Sequence, residues 1–241
     1  MKTVVATLLS IMTLVSCHKD QPVPKGPPAP LPDINAAVSE PTTITNPYYG
    51  PGTNQIYVYV GGEVGVDPEE EIRIERRSQT KQVMGITCII HHDVVLLDGV
   101  LIEDTDDWLA QDDQGNLWYM GEFVENFEDD GTFADNDGSW EAGVDGALPG
   151  YWLSANPQPG DRYMQEYWPG EAEDFAGVEG FATVNIALGQ FTDCLITRDI
   201  NPFEENVYEL KYYAPGIGFI KEEKYENGQL TELVELIEII Q

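Results

Sequence analysis

Apolar and polar residues alternate with a period of two over much of this chain. Ile56, Val58 and Val60 alternate with Tyr57 and Tyr59, and Ile72 and Ile74 with Glu71, Arg73 and Glu75. Successive side chains of a strand point to opposite faces, so this pattern predicts half-buried strands. A long extended run follows over 82–93, with a turn at Asp98-Gly99. Runs 108–111 and 117–124 flank Asp112-Asp113-Gln114-Gly115-Asn116 and read as a hairpin. Further strands are expected over 163–167, 182–187, 191–198, 207–213 and 217–226. Leu230, Leu233, Val234 and Ile237 also fit a helical stripe, but Asn227-Gly228 is the strongest short hairpin signal, so 229–239 is read as a strand paired with 217–226. Residues 171–176, between Pro169-Gly170 and Gly177, are the one stretch expected to form a short helix. The pattern therefore predicts a mainly β fold: a single antiparallel, strongly curved sheet or open half-barrel with at most one short helix.

The beginning of the chain follows another logic. Lys2 and the apolar run 4–15 read as a secretory signal, too short to span a bilayer. Leu14-Val15-Ser16-Cys17 resembles the lipobox of bacterial lipoproteins. That resemblance implies a signal peptide over 1–16, cleavage before Cys17 and acylation of Cys17, which anchors a protein to a membrane without crossing it. His18 follows the cysteine. The inner-membrane retention signal of enteric bacteria has Asp there, so the outer membrane is the expected address. Pro22, Pro24, Pro27, Pro28, Pro30 and Pro32 make 17–45 an extended tether, leaving 46–241 as a single β domain.

Charge narrows the partners. Of 241 residues, 43 are Asp or Glu and 12 Lys or Arg, a net charge of −31. Such a field disfavours nucleic acid and anionic surfaces, while cations, basic proteins and neutral sugars stay compatible. Beyond Cys17 stand Cys88 and Cys194, each in a strand-like run. They form a disulfide if those strands are neighbours, and two buried thiols otherwise. His91 and His92 are adjacent on a strand and point to opposite faces, which argues against a shared zinc site. The chain has no Gly-x-Ser-x-Gly and no phosphate-cradling loop.

Two sets of residues resemble an uncharacterised family of exported, β-rich bacterial proteins. One comprises Glu103-Asp-Thr-Asp-Asp-Trp-Leu-Ala-Gln-Asp112, Gly115-Asn-Leu-Trp-Tyr-Met-Gly-Glu122 and Gly138-Ser-Trp-Glu-Ala-Gly-Val-Asp-Gly-Ala147, continuing through Gln165-Glu-Tyr167 and Glu171-Ala-Glu-Asp174. The other is Lys211-Tyr-Tyr-Ala-Pro-Gly-Ile-Gly-Phe-Ile-Lys221. The resemblance implies an exported half-barrel and no particular activity.

The candidate chemistry sits between Asp104 and Asp174, which hold every tryptophan. Trp118, Trp140, Trp152 and Trp168 offer faces for stacking on sugar rings, and neighbouring acids offer acceptors for hydroxyls. The expected role is a non-catalytic binding or scaffolding module for a glycan, small ligand or envelope protein. The alternative is a carbohydrate-active hydrolase drawing paired carboxylates from Glu141, Asp145, Glu166 and Asp174, which must face each other across a cleft. Asp129, Asp135 and Asp137, on flexible acidic turns, are candidate calcium ligands.

Overall fold

A computed structural model describes residues 29–33 and 35–241 of the chain. The signal segment, Cys17 and the first half of the proline-rich stretch lie outside the described residues.

The described chain is all β, with no helix. Its strands are β1 (Ile56–Glu63), β2 (Glu70–Val83), β3 (Ile86–Leu97), β4 (Val100–Gln111), β5 (Leu117–Phe127), β6 (Phe133–Asp135), β7 (Trp140–Glu141), β8 (Leu148–Leu153), β9 (Arg162–Met164), β10 (Glu166–Tyr167), β11 (Phe175–Ile186), β12 (Gly189–Ile200), β13 (Val207–Ala214), β14 (Gly218–Glu226) and β15 (Gln229–Ile240). All belong to one antiparallel sheet ordered β10-β8-β5-β4-β3-β2-β1-β15-β14-β13-β12-β11-β9. Two up-and-down meanders, β1 to β5 and β11 to β15, are joined where β1 pairs with β15, Tyr59 lying opposite Leu236. The outer edge of β5 is covered in turn by β8, β7 and β6.

The sheet curves without closing into a barrel. Its two ends meet in the chain itself: β9 pairs with β11, β10 pairs with β8, and only Gln165 separates β9 from β10.

Turn chemistry sets the registers. Asn227 (φ 50°) and Gly228 (φ 76°) both take left-handed backbone, the geometry that matches strand twist in a two-residue hairpin, so 229–240 is a strand. Asp98-Gly99 does the same between β3 and β4. The expected unbroken run over 82–93 is instead split, because Met84 (φ 49°) and Gly85 (φ 81°) turn β2 into β3. The expected helix over 171–176 is absent: Phe175 and Ala176 are already ladder residues of β11, paired with Ile200 and Asp199.

Of the two alternatives for Cys88 and Cys194, the structure has the buried thiols. The two strands, β3 and β12, are not neighbours, and both thiols are free and buried, in separate core clusters. The tether is also shorter than its proline content suggests. Ala29 packs with Met164, Phe175 and Ile200. Asp113 takes hydrogen bonds from the backbone and hydroxyl of Ser39, and Gln111 Oε1 takes them from the Thr45 and Asn46 amides. The stretch 35–46 is thus laid along the β4–β5 hairpin.

Leu236 is fully buried at the seam between the meanders, among Tyr59, Ile220 and Val234. Leu236→Ala is expected to cost about 2–5 kcal/mol, read as a lower urea midpoint of unfolding.

Candidate functional site

The site is built on a flaw in the alternation of β5. Asp107 of β4 lies opposite Glu122, and Leu109 lies opposite Tyr119. One residue separates the pairs on β4 and two on β5, so Met120-Gly121 forms a bulge. The extra residue brings Tyr119 and Glu122 to the same face as Asp107. The Tyr119 hydroxyl donates to Asp107 Oδ1 at 2.6 Å. At the bulge, Gly121 has φ 128°, and a Cβ there would stand 2.4 Å from the Trp140 carbonyl oxygen. Only glycine lets β7 lie this close to β5. β7 in turn aims Trp140, whose indole Nε1 donates to Glu122 Oε1 at 3.1 Å.

Outside this pairing opens a notch of about 240 Å³, lined by Trp108, Trp140 and Trp168 and by the carboxyls of Glu122, Glu141 and Asp145. Trp140 and Trp108 are buried and form its base, whereas Trp168 is half-exposed. Phe123 (45% exposed) and Val144 (48%) give it an apolar rim. A nearby cation is committed: Lys81 pairs with Glu141 at 3.0 Å and lies 4.3 Å above the Trp108 ring.

Of the tryptophans expected to form a binding face, Trp140 and Trp168 share this notch and the others do not. Trp118 is buried and gives its Nε1 to Asp112 Oδ2 at 3.0 Å. That same Asp112 carboxylate also takes the Gln114 and Asn116 amides and the Asn116 side chain, which consumes it in closing the hairpin. Trp152 faces a separate interior chamber.

The four candidate acids likewise divide. Glu141 and Asp145 line the notch, whereas Glu166 and Asp174 do not; Glu166 Oε2 and Asp174 Oδ1 are buried with no hydrogen-bond partner, and the charge of Asp174 helps to raise Glu166. The four acids therefore do not share one cleft. The calcium candidates Asp129, Asp135 and Asp137 are exposed on their turns. Asp135 Oδ1 takes the Asp137 amide and the Asn126 side chain. No group of three or more His, Cys, Asp or Glu side chains is placed to hold a metal ion among the described residues.

The alternation pattern does not reveal the buried row of acids into which these residues run. The charge of Glu166 helps to raise Glu122, that of Asp174 helps to raise Glu166, and that of Asp199 helps to raise Asp174. Asp199 Oδ2 takes Gln165 Nε2 at 3.1 Å and lies 3.5 Å from Lys211 Nζ. Lys211 also meets Glu209 at 3.1 Å and Glu222 at 3.7 Å. Burial is the main cause that lifts these acids above the usual carboxylate range: Glu166 to about 8, Asp107 to about 7, Glu222 to about 7 and Asp174 to about 6, with Glu122 also raised.

No protein-family model and no curated protein matches the chain. Two solved structures are similar to it. A Bacteroides fragilis protein, described as exported and of YmcC-like fold, superposes with a TM-score of 0.50 at 16% identity, over 80% of this chain and 99% of the other. A Parabacteroides distasonis protein described as a lipoprotein gives a TM-score of 0.44 at 12% identity, over 80% and 98%. The first likeness is one of fold.

The acid row sets a pH dependence. Each raised carboxyl binds its proton more tightly in the folded state, so its stabilisation is complete below the unfolded value and is lost as pH rises through the folded one. Stability is expected to fall between about pH 5 and pH 8, by up to about 1.4 kcal/mol per pH unit for each proton held only by the folded state. Urea unfolding across that range checks it, and Glu166→Gln should flatten the part of the slope above about pH 7.

Proposed function

We propose that this chain is an exported, lipid-anchored protein of the bacterial outer membrane, whose β domain binds a neutral, hydroxyl-rich ligand such as a glycan and does not transform it. The observation that carries the binding role is the notch: Trp168 and Phe123 offer partly exposed rings beside three carboxyls. Rings cover the apolar faces of a sugar, and carboxyls accept from its hydroxyls. An acidic sugar would meet carboxyls and no uncommitted cation. The lipobox-like Leu14-Val15-Ser16-Cys17 supports export and anchoring. A structural neighbour described as exported is compatible with that address.

Titrating the protein with neutral oligosaccharides, followed by tryptophan fluorescence and calorimetry, tests the binding role. Saturable binding is expected, and Trp168→Ala should weaken it about tenfold or more while leaving the unfolding midpoint nearly unchanged. Absence of saturation by any neutral oligosaccharide at tens of millimolar would sink the reading. For the anchor, Cys17→Ser should abolish acyl labelling and release the protein from the outer-membrane fraction.

A further inference from the structure

The concave side of the sheet holds a second chamber, of about 180 Å³, which shares no lining residue with the notch. An engineered cavity of about 150 Å³ accepts benzene, so this one has room for a guest of about seven non-hydrogen atoms. Its walls come from both meanders: Tyr59 of β1, His91 and Asp93 of β3, Lys211 and Tyr213 of β13, and Phe219 and Glu222 of β14. Trp152 of β8 and the segment Tyr48-Tyr49-Gly50 complete it. That segment is held across the sheet by the Gly216 amide, which donates to the Pro47 carbonyl at 2.7 Å. The Tyr49 hydroxyl stands 3.3 Å from His91 Nδ1.

The charges of this chamber are one-sided. His91 is kept neutral, its pKa pushed down to about 3 by burial with His92 beside it. Lys211 is surrounded by Glu209, Asp199 and Glu222 and has no charge left for an anion. Asp93 Oδ1 is buried with no hydrogen-bond partner. Once Asp93 ionises, its unmet need is for a donor, and a positive one, within a ring of aromatic faces that themselves attract cations. A bare metal ion is a poor match, since no cluster of three ligating side chains is present among the described residues.

We propose that this chamber binds a small organic cation, a protonated primary amine with a compact apolar body, its ammonium on Asp93 and its body among Tyr49, Tyr59, Trp152, Tyr213 and Phe219. Burial and the neighbouring Asp107 and Glu103 hold a proton on Asp93, with Glu222 also raised, to about 7. The incoming ammonium supplies the positive charge in its place, and the displaced proton leaves to solvent.

Three probes on one ring separate the readings: cyclohexylammonium and neutral cyclohexanol, equal in size at about seven non-hydrogen atoms, and the somewhat larger cyclohexanecarboxylate, each titrated into the purified protein by calorimetry. The ammonium is expected to bind at least about tenfold more tightly than the alcohol, and the carboxylate not at all. Its affinity should rise with pH through about pH 7, the value to which Glu222 is raised, as protons leave the chamber's carboxyls for solvent on binding. Asp93→Asn should remove the preference for the ammonium over the alcohol, whereas Trp168→Ala, in the notch, should leave it intact. Equal binding of ammonium and alcohol would overturn the proposal in favour of a plain apolar cavity. So would no ammonium binding at tens of millimolar. The comparison of probes is read on the unaltered protein, so it stands whether or not a variant folds.

Discussion

The ladder between β1 and β15 is the interaction on which the rest of this structure depends. Each meander, β1 to β5 and β11 to β15, is made of local hairpins and holds together by short-range pairing. Neither encloses anything alone. Pairing Ile56–Glu63 with the last strand makes one surface of the two and forces it to curve over a common interior. The interior chamber draws walls from both halves, so it exists only once this long-range contact has formed. Contacts so distant in sequence carry a large loop-closure cost, which the buried seam around Tyr59, Ile220 and Leu236 must offset.

Curvature over a polar interior creates an electrostatic problem, and the chain meets it with protons. Asp107, Glu122, Glu166, Asp174, Asp199 and Glu222 are brought out of water, and of these Asp199 and Glu222 stand 3.5 and 3.7 Å from the Lys211 ammonium. Ionising all of them there would be prohibitive, so several stay neutral and donate. Glu166, raised to about 8 mainly by burial, is the plainest case. An excess of acid therefore has two meanings in one molecule: outside it is charge that keeps the surface hydrated, inside it is largely uncharged hydrogen-bonding material.

Much of the fold was legible in the sequence because strand periodicity and turn chemistry are local signals. Ile56, Val58, Ile72 and Ile74 announced their strands, and Asn227-Gly228 decided the last hairpin against a competing helical stripe. The failures were local too. Met84 has no turn preference and sat inside an apolar run, so the β2–β3 turn was hidden by its neighbours. Phe175 and Ala176 were drawn into a ladder by Ile200 and Asp199, partners that no short window contains. Trp140, Trp168, Glu141 and Asp145, which line the notch, stood out in the sequence by residue type alone. Glu122 did not, because strict alternation pairs it with Trp118 and Met120. The bulge at Met120-Gly121 moves it to the face of Asp107, and Gly121 was the only sign of that. Trp118 and Trp152 show the limit of composition: the side chains that read as a binding face also hold a hairpin and wall a chamber.

The passage from β9 to β10 carries one last consequence. The two extremities of the sheet are consecutive pieces of chain, separated by Gln165, and their ladders are the short ones, Arg162–Met164 on β11 and Glu166–Tyr167 on β8. That link is itself tied, because the Gln165 and Glu166 amides donate to the Asp174 carbonyl just before β11, and residues 168–174 carry the chain on from β10 to β11. A single nick at Gln165 would therefore leave the two extremities held by a second pass of the chain and by these hydrogen bonds. The enclosure is redundant: the chain crosses the gap between the ends of the sheet twice.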